Sequence, residues 1–254
     1  MTAPALIAVA HGSRDLRSAA TVSALVDQVR GLRPELDVRL SFLDLSAPRL
    51  ADVLRAVHGD GHREAVVVPL LLGAAYHARV DVPAAVQRAA ARYPRLVVRV
   101  TDVLGPDPRV SAVALRRLAE VGAPLDDSRL GVVLAAAGSS QASANAPVAQ
   151  LVGSWAHRAG WAGGRAAFAA AAQPGVAQAM AALRARGARR IAVGSWFLAP
   201  GLLPDQITST AVAADPTVTV AAPLGADPSV AEVILDRYAA ARRIEAQERT
   251  HAAG

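Results

Sequence analysis

Three side chains in this sequence are spaced and surrounded in a way that suits chemistry: His11, Asp44 and His77. His11 follows the apolar run Leu6–Val9 within LIAVAHGSR, so it stands at the end of a strand-like segment and opens a small polar turn. His77 lies beyond a second apolar run, in PLLLGAAYHARVD, four residues before Asp81. Asp44 comes just after the run Val38–Leu43, in FLDLSAP. Two imidazoles and a carboxylate suit a borderline divalent metal such as Fe²⁺, Co²⁺, Ni²⁺ or Zn²⁺. They equally suit proton abstraction, because imidazole titrates close to neutral pH.

These residues need elements to hold them. Strand-like and helix-like runs alternate along the whole chain, which is the pattern of an α/β protein with parallel sheets. Strands are expected to begin near Leu6, Val38, Val66 and Leu96, each followed by a helix at helical apolar spacing. The third run is apolar throughout and should lie centrally. With strand order 2-1-3-4, His11, Asp44 and His77 would all leave the carboxyl ends of adjacent strands, where open parallel sheets place ligands.

After a linker-like GAPLDDS at residues 122–128, the same order of runs returns. AHGSR at Ala10–Arg14 recurs as AAGSS at Ala136–Ser140, and FLDLSAP at Phe42–Pro48 recurs as FAAAAQP at Phe168–Pro174, both 126 positions on. LGPDPRV at Leu104–Val110 recurs as LGADPSV at Leu224–Val230, 120 positions on. The expectation is an internal duplication: two similar four-stranded parallel-sheet halves, residues 1–122 and 129–241, facing across a cleft, with a disordered tail over 242–254. The repeat is also an internal control. His11 falls on Ala137, Asp44 on Ala170 and, with an offset of 125 for the third strand, His77 on Leu202. A scaffold retained while three polar groups are lost assigns those groups to chemistry rather than to folding.

Other residues have two readings. Ser13 and Arg14 are turn residues, or they present backbone N–H groups to an anion at a helix start. Asp81 orients the imidazole of His77 one helical turn away, or merely complements the first turn of a helix. Asp44 itself could cap the helix near Pro48. His58 and His62, in HGDGHRE, have the look of a metal clip but also of a solvated loop. His157 and His251 carry no pattern.

Composition bounds the rest. The 254 residues are 53% hydrophobic and 4% aromatic, so the core is aliphatic, and without cysteine there is no disulfide or thiolate metal site. No apolar run reaches the roughly 20 residues of a membrane span, and no basic segment precedes the first apolar run, so a soluble cytoplasmic protein is expected. The net charge of +6 comes from arginine alone. It reads either as a solvated surface or as attraction for a polyanionic small molecule. Dispersed arginines and few aromatics argue against nucleic acid as a partner. A phosphohistidine reading of HGSR lacks the arginine that should precede the histidine; Ala10 stands there.

Taken together, AHGSRD, FLDLSAP, PLLLGAAYHARVDVP and LGPDPRV resemble the sirohydrochlorin chelatases of the CbiX/SirB type, class II chelatases that insert a divalent metal into a tetrapyrrole. The resemblance spans about residues 4 to 240. It implies a chelatase-like fold, with His11 and His77 binding metal and assisting deprotonation and Asp44 as a third metal ligand where the family commonly has glutamate. It implies sirohydrochlorin as substrate, its carboxylates met by Ser13, Arg14 and Arg79, with Asp81 behind His77. It also implies Fe²⁺, or alternatively Co²⁺ for cobalamin, as co-substrate, with no permanently bound cofactor. A monomer with two pseudo-symmetric halves is expected, and a non-catalytic metal or tetrapyrrole carrier is the alternative from another class.

Overall fold

The strand β1, Ala5–Ala10, is buried at every position, and a parallel strand of this kind needs a neighbour on each edge and helices on both faces. In the computed structural model, which describes residues 3–73 and 81–252, it has them. β2 (Val38–Phe42) pairs with one edge, from Leu6 opposite Val38 to Ala10 opposite Phe42. β3 (Glu64–Pro69) pairs with the other, from Ala5 opposite Ala65 to Val9 opposite Pro69, and β4 (Val97–Val100) extends the sheet beyond β3. The order β2-β1-β3-β4, all parallel, is the one the sequence reading assumed. The helices α1 (Leu16–Leu32), α2 (Leu50–Gly59) and α3 (Val82–Arg92) connect these strands. Below one face, Ile7, Val9, Val67, Leu54, Val57, Val82 and Val86 form a continuous aliphatic core.

A second sheet repeats the first. β5 (Leu130–Ala136), again buried throughout, lies between β6 (Gly163–Phe168) and β7 (Arg190–Ser195), with β8 (Thr219–Val220) outermost. Its helices include α5 (Ala142–Ala159), α6 (Val176–Ala185) and α7 (Leu202–Ala214). Val133, Val193, Met180, Leu183 and Ile207 are among its core residues. The repeat reaches individual backbone conformations. Gly12 and Gly138 have φ of 95° and 90°, and Leu45 and Ala171 have φ of 60° and 57°, each pair 126 positions apart.

The compact units are not the two stretches expected from the linker. One comprises the chain up to Asp107 together with everything from Ala226 onward; the other is Pro108–Gly225. The helix α4 (Pro108–Glu120), which follows β4 in sequence, packs on β7 of the second sheet. Val110, Val113, Ala114 and Leu118 are its buried apolar face, and a side chain at Gly194 would meet Leu118 Cδ1 at 3.3 Å, so the strand makes room for it. The Trp155 indole N–H of α5 donates to Ser111 Oγ of α4 at 3.1 Å, a bond that is buried. In return, α8 (Pro228–Ala252) packs on β3 and α1 of the first unit. There the Tyr238 hydroxyl donates to the Pro4 carbonyl at 2.7 Å and Arg237 Nε donates to the Val103 carbonyl at 3.0 Å. The sequence repeat divides the chain near 122/129, whereas the compact units divide at the two LG-x-DP turns, because each turn sends its helix to the other sheet. The helix α8 also runs to Ala252, through most of the stretch expected to be a disordered tail. No helix among the described residues is long and apolar enough to cross a membrane.

Candidate functional site

The site is built at the carboxyl ends of β1 and β2, where the pairing of the strands continues into their loops. The Leu43 N–H donates to the Ala10 carbonyl and the Asp44 N–H donates to the His11 carbonyl, both at 2.9 Å. His11 and Asp44 are thus backbone neighbours across the strand ends. Gly12 makes this approach possible: its φ is in the left-handed region, and a Cβ there would lie 1.7 Å from the Asp44 carbonyl oxygen.

The half-buried His11 places Nδ1 3.2 Å from the Gly12 carbonyl oxygen. In the tautomer with the proton on Nδ1, that nitrogen donates to the Gly12 carbonyl. Asp44 is exposed, and Arg49 Nη1 donates to its Oδ1 at 2.6 Å and to the Leu43 carbonyl at 3.2 Å. The Arg49 hydrogen bond, then the Leu45 N–H, with a contribution from the nearby His11 charge, hold the Asp44 carboxyl below the ordinary carboxylate value. It is an anion at neutral pH, and the α2 cap that the sequence left open for it is not its role. The helix begins at Leu50, with Arg49 at the N-cap position.

Ser13 is committed to the turn. Its N–H donates to Ser46 Oγ at 3.1 Å, Ser46 Oγ donates back to the Ser13 carbonyl at 3.0 Å, and Ser13 Oγ accepts the Asp15 N–H at 3.0 Å. Ser46 is a latch between the His11 and Asp44 loops that sequence reasoning missed. Its signal is visible only in the repeat. Position 172 is alanine, and the second unit latches Ser139 through Asn145 instead, by Asn145 Oδ1 to the Ser139 N–H at 2.9 Å and Asn145 Nδ2 to its carbonyl at 2.7 Å. Arg14 is exposed at the start of α1 and has no ion-pair partner among the described residues. The cap of that helix is Asp15, whose carboxylate accepts the Arg17 N–H at 2.9 Å.

His77 and Arg79 lie outside the described residues, and Asp81 stands half-buried directly before α3. The correspondence of His77 with Leu202 does not survive the strand registers. Val9 opposite Pro69 and Ala135 opposite Ser195 set the offset at 126 rather than 125. The connection from β3 to α3, residues 70–81, is then twice as long as the one from β7 to α7, residues 196–201. The longer stretch that contains His77 has no position-by-position equivalent in the second unit. His58 and His62 do not form a clip: His58 stacks on Tyr93 with centroids 4.8 Å apart, and His62 Nε2 is 2.9 Å from Asp37 Oδ2. Among the described residues, no three histidine, cysteine or acidic side chains converge to hold a metal ion.

The second unit keeps the backbone of this site without its groups. The Ala170 N–H donates to the Ala137 carbonyl at 2.9 Å, as Asp44 does to His11, and a Cβ on Gly138 would lie 2.1 Å from the Ala170 carbonyl oxygen. A groove of about 450 Å³ beside Ala170, lined by Phe168, Gln173, Ile207 and Thr210 among others, has no charged residue in its wall.

The CbiX family model matches residues 5–121 and again 131–241. Over 139 residues the chain is 32% identical to the sirohydrochlorin ferrochelatase of Bacillus subtilis, a match covering 54% of this chain and about half, 51%, of that protein. It is 25% identical over 206 residues to the sirohydrochlorin ferrochelatase of Priestia megaterium, covering 80% of this chain and 76% of the relative. Among solved structures, SirB from Bacillus subtilis with Fe³⁺ superposes with a TM-score of 0.77 at 24% identity, covering 92% of this chain and 93% of SirB. At that identity the likeness speaks for the fold.

Proposed function

Because the chain belongs to the CbiX family, we propose that it is a sirohydrochlorin chelatase, which exchanges two pyrrole protons of the macrocycle for one divalent metal ion. The observation that carries this reading is the backbone-coupled pair His11 and Asp44 at the strand ends, set against Ala137 and Ala170 on the same backbone. His11 and His77 bind the incoming ion and each accepts one of the two pyrrole protons as the ion passes to the macrocycle, and Asp44 supplies an anionic oxygen. Asp81 orients His77. Ser13, Arg14 and Arg79 meet carboxylates of the substrate, and Ser13 also shapes the turn that carries Arg14. A site with few protein ligands is suited to passing its metal on rather than retaining it.

Iron is the favoured ion, since the two relatives with the longest matches are ferrochelatases; the shorter matches, over 78 residues, include the sirohydrochlorin cobaltochelatase of Methanosarcina barkeri. The metal is a co-substrate, and one chain, acting as a cytoplasmic monomer, suffices for the site. The test is an anaerobic absorbance assay with sirohydrochlorin, offering Fe²⁺ and Co²⁺ separately. Many turnovers per chain, faster with Fe²⁺, are expected. One equivalent of bound metal or tetrapyrrole without turnover would make the protein a carrier.

A further inference from the structure

Arg49 has a place in this site that the chelatase reading does not assign. Its Nη1 donates to Asp44 Oδ1 at 2.6 Å, and Asp44 is its only acidic partner among the described residues. The same nitrogen donates to the Leu43 carbonyl at 3.2 Å, which raises bracing of the loop as the rival role. The second unit argues against that. There the Phe168 N–H still donates to the Pro174 carbonyl at 3.0 Å, as Phe42 does to Pro48 at 2.9 Å, and the left-handed conformation of Leu45 is kept at Ala171. Yet the position of Arg49 is Gly175 and that of Asp44 is Ala170. The loop needs neither side chain, and the two are absent together.

We propose that Arg49 is a positioning residue that competes with the metal for the Asp44 carboxylate and so keeps the ion loosely held for transfer. This rests on the functional reading above. A divalent ion that takes Asp44 must share the carboxylate with the guanidinium or displace it, and in either case it approaches a fixed positive charge. Arg49 thereby weakens ground-state metal binding and speeds hand-over to the macrocycle. At Gly175 no such charge is present, and at Ala170 there is no carboxylate for it to hold.

The experiment is a Co²⁺ titration of the full chain, without sirohydrochlorin, for the wild type and for Arg49→Ala, Arg49→Gln and Arg49→Lys, repeated in an Asp44→Asn background. Both neutral variants should bind Co²⁺ more tightly, by about tenfold, and Arg49→Lys should stay near the wild type. The effect should vanish when Asp44 is asparagine. At saturating Co²⁺, Arg49→Ala should also turn over sirohydrochlorin more slowly. Unchanged or weaker Co²⁺ binding in both neutral variants, or an equal gain in the Asp44→Asn background, overturns the proposal. If the wild type shows no Co²⁺ binding that His11→Ala removes, it is the functional reading that fails.

Discussion

At the scale of single residues, the account turns on how closely two loops approach. Gly12 carries that approach, and any side chain there drives Cβ into the Asp44 carbonyl while forcing a left-handed φ of 95°. Gly12→Ala is therefore predicted to displace the His11 loop from Asp44, with a stability loss of about 2 kcal/mol or more and near-complete loss of turnover. Denaturant unfolding beside the absorbance assay checks both. Asp44 also sets a pH expectation. Its carboxyl is lowered from 3.8 in the folded chain, so its pairing with Arg49 is fully present above that value and is lost only as pH falls through the lower one. Asp44 therefore stays ionised across roughly pH 5 to 8. An Asp44→Asn variant should have a lower rate but an acid limb of unchanged midpoint in its pH–rate profile. His11 and Asp44 stood out in the sequence because the repeat subtracts them. Ser46 did not, since its partner bonds are to backbone, and the second unit replaces it by Asn145, from a different element.

The elements were legible for a simpler reason. Buried parallel strands read as short apolar runs, and β1 and β5 are of this kind. What could not be read was the partner of each helix. Amphipathic spacing tells that α4 buries Val110, Val113 and Leu118, but not against which sheet, and a repeat in sequence invites the assumption that it covers its own. In the structure α4 and α8 change places. A fragment of residues 1–122 thus carries a helix that belongs to the second unit and lacks the one that covers β3 and α1. It is predicted to show no cooperative thermal transition by circular dichroism, whereas the full chain shows one. Leu118, fully buried in α4, should cost about 2–5 kcal/mol as Leu118→Ala, read in denaturant, without altering metal binding by the first unit.

For the molecule as a whole, duplication has left one scaffold with the His11 and Asp44 side chains and one with alanine at both positions. The backbone bond from Asp44 to His11 and that from Ala170 to Ala137 have the same length, 2.9 Å, so at this pair of positions the two units differ in their side chains. On the proposed function, the reaction belongs to the unit of β1 to β4. The most direct measurement is the initial rate of metal insertion into sirohydrochlorin for His11→Ala beside Ala137→Val, both with unfolding curves to confirm the fold. The account predicts a fall of about 10² to 10⁴-fold for His11→Ala and a near wild-type rate for Ala137→Val. A His11→Ala variant that folds and keeps the wild-type rate would contradict it.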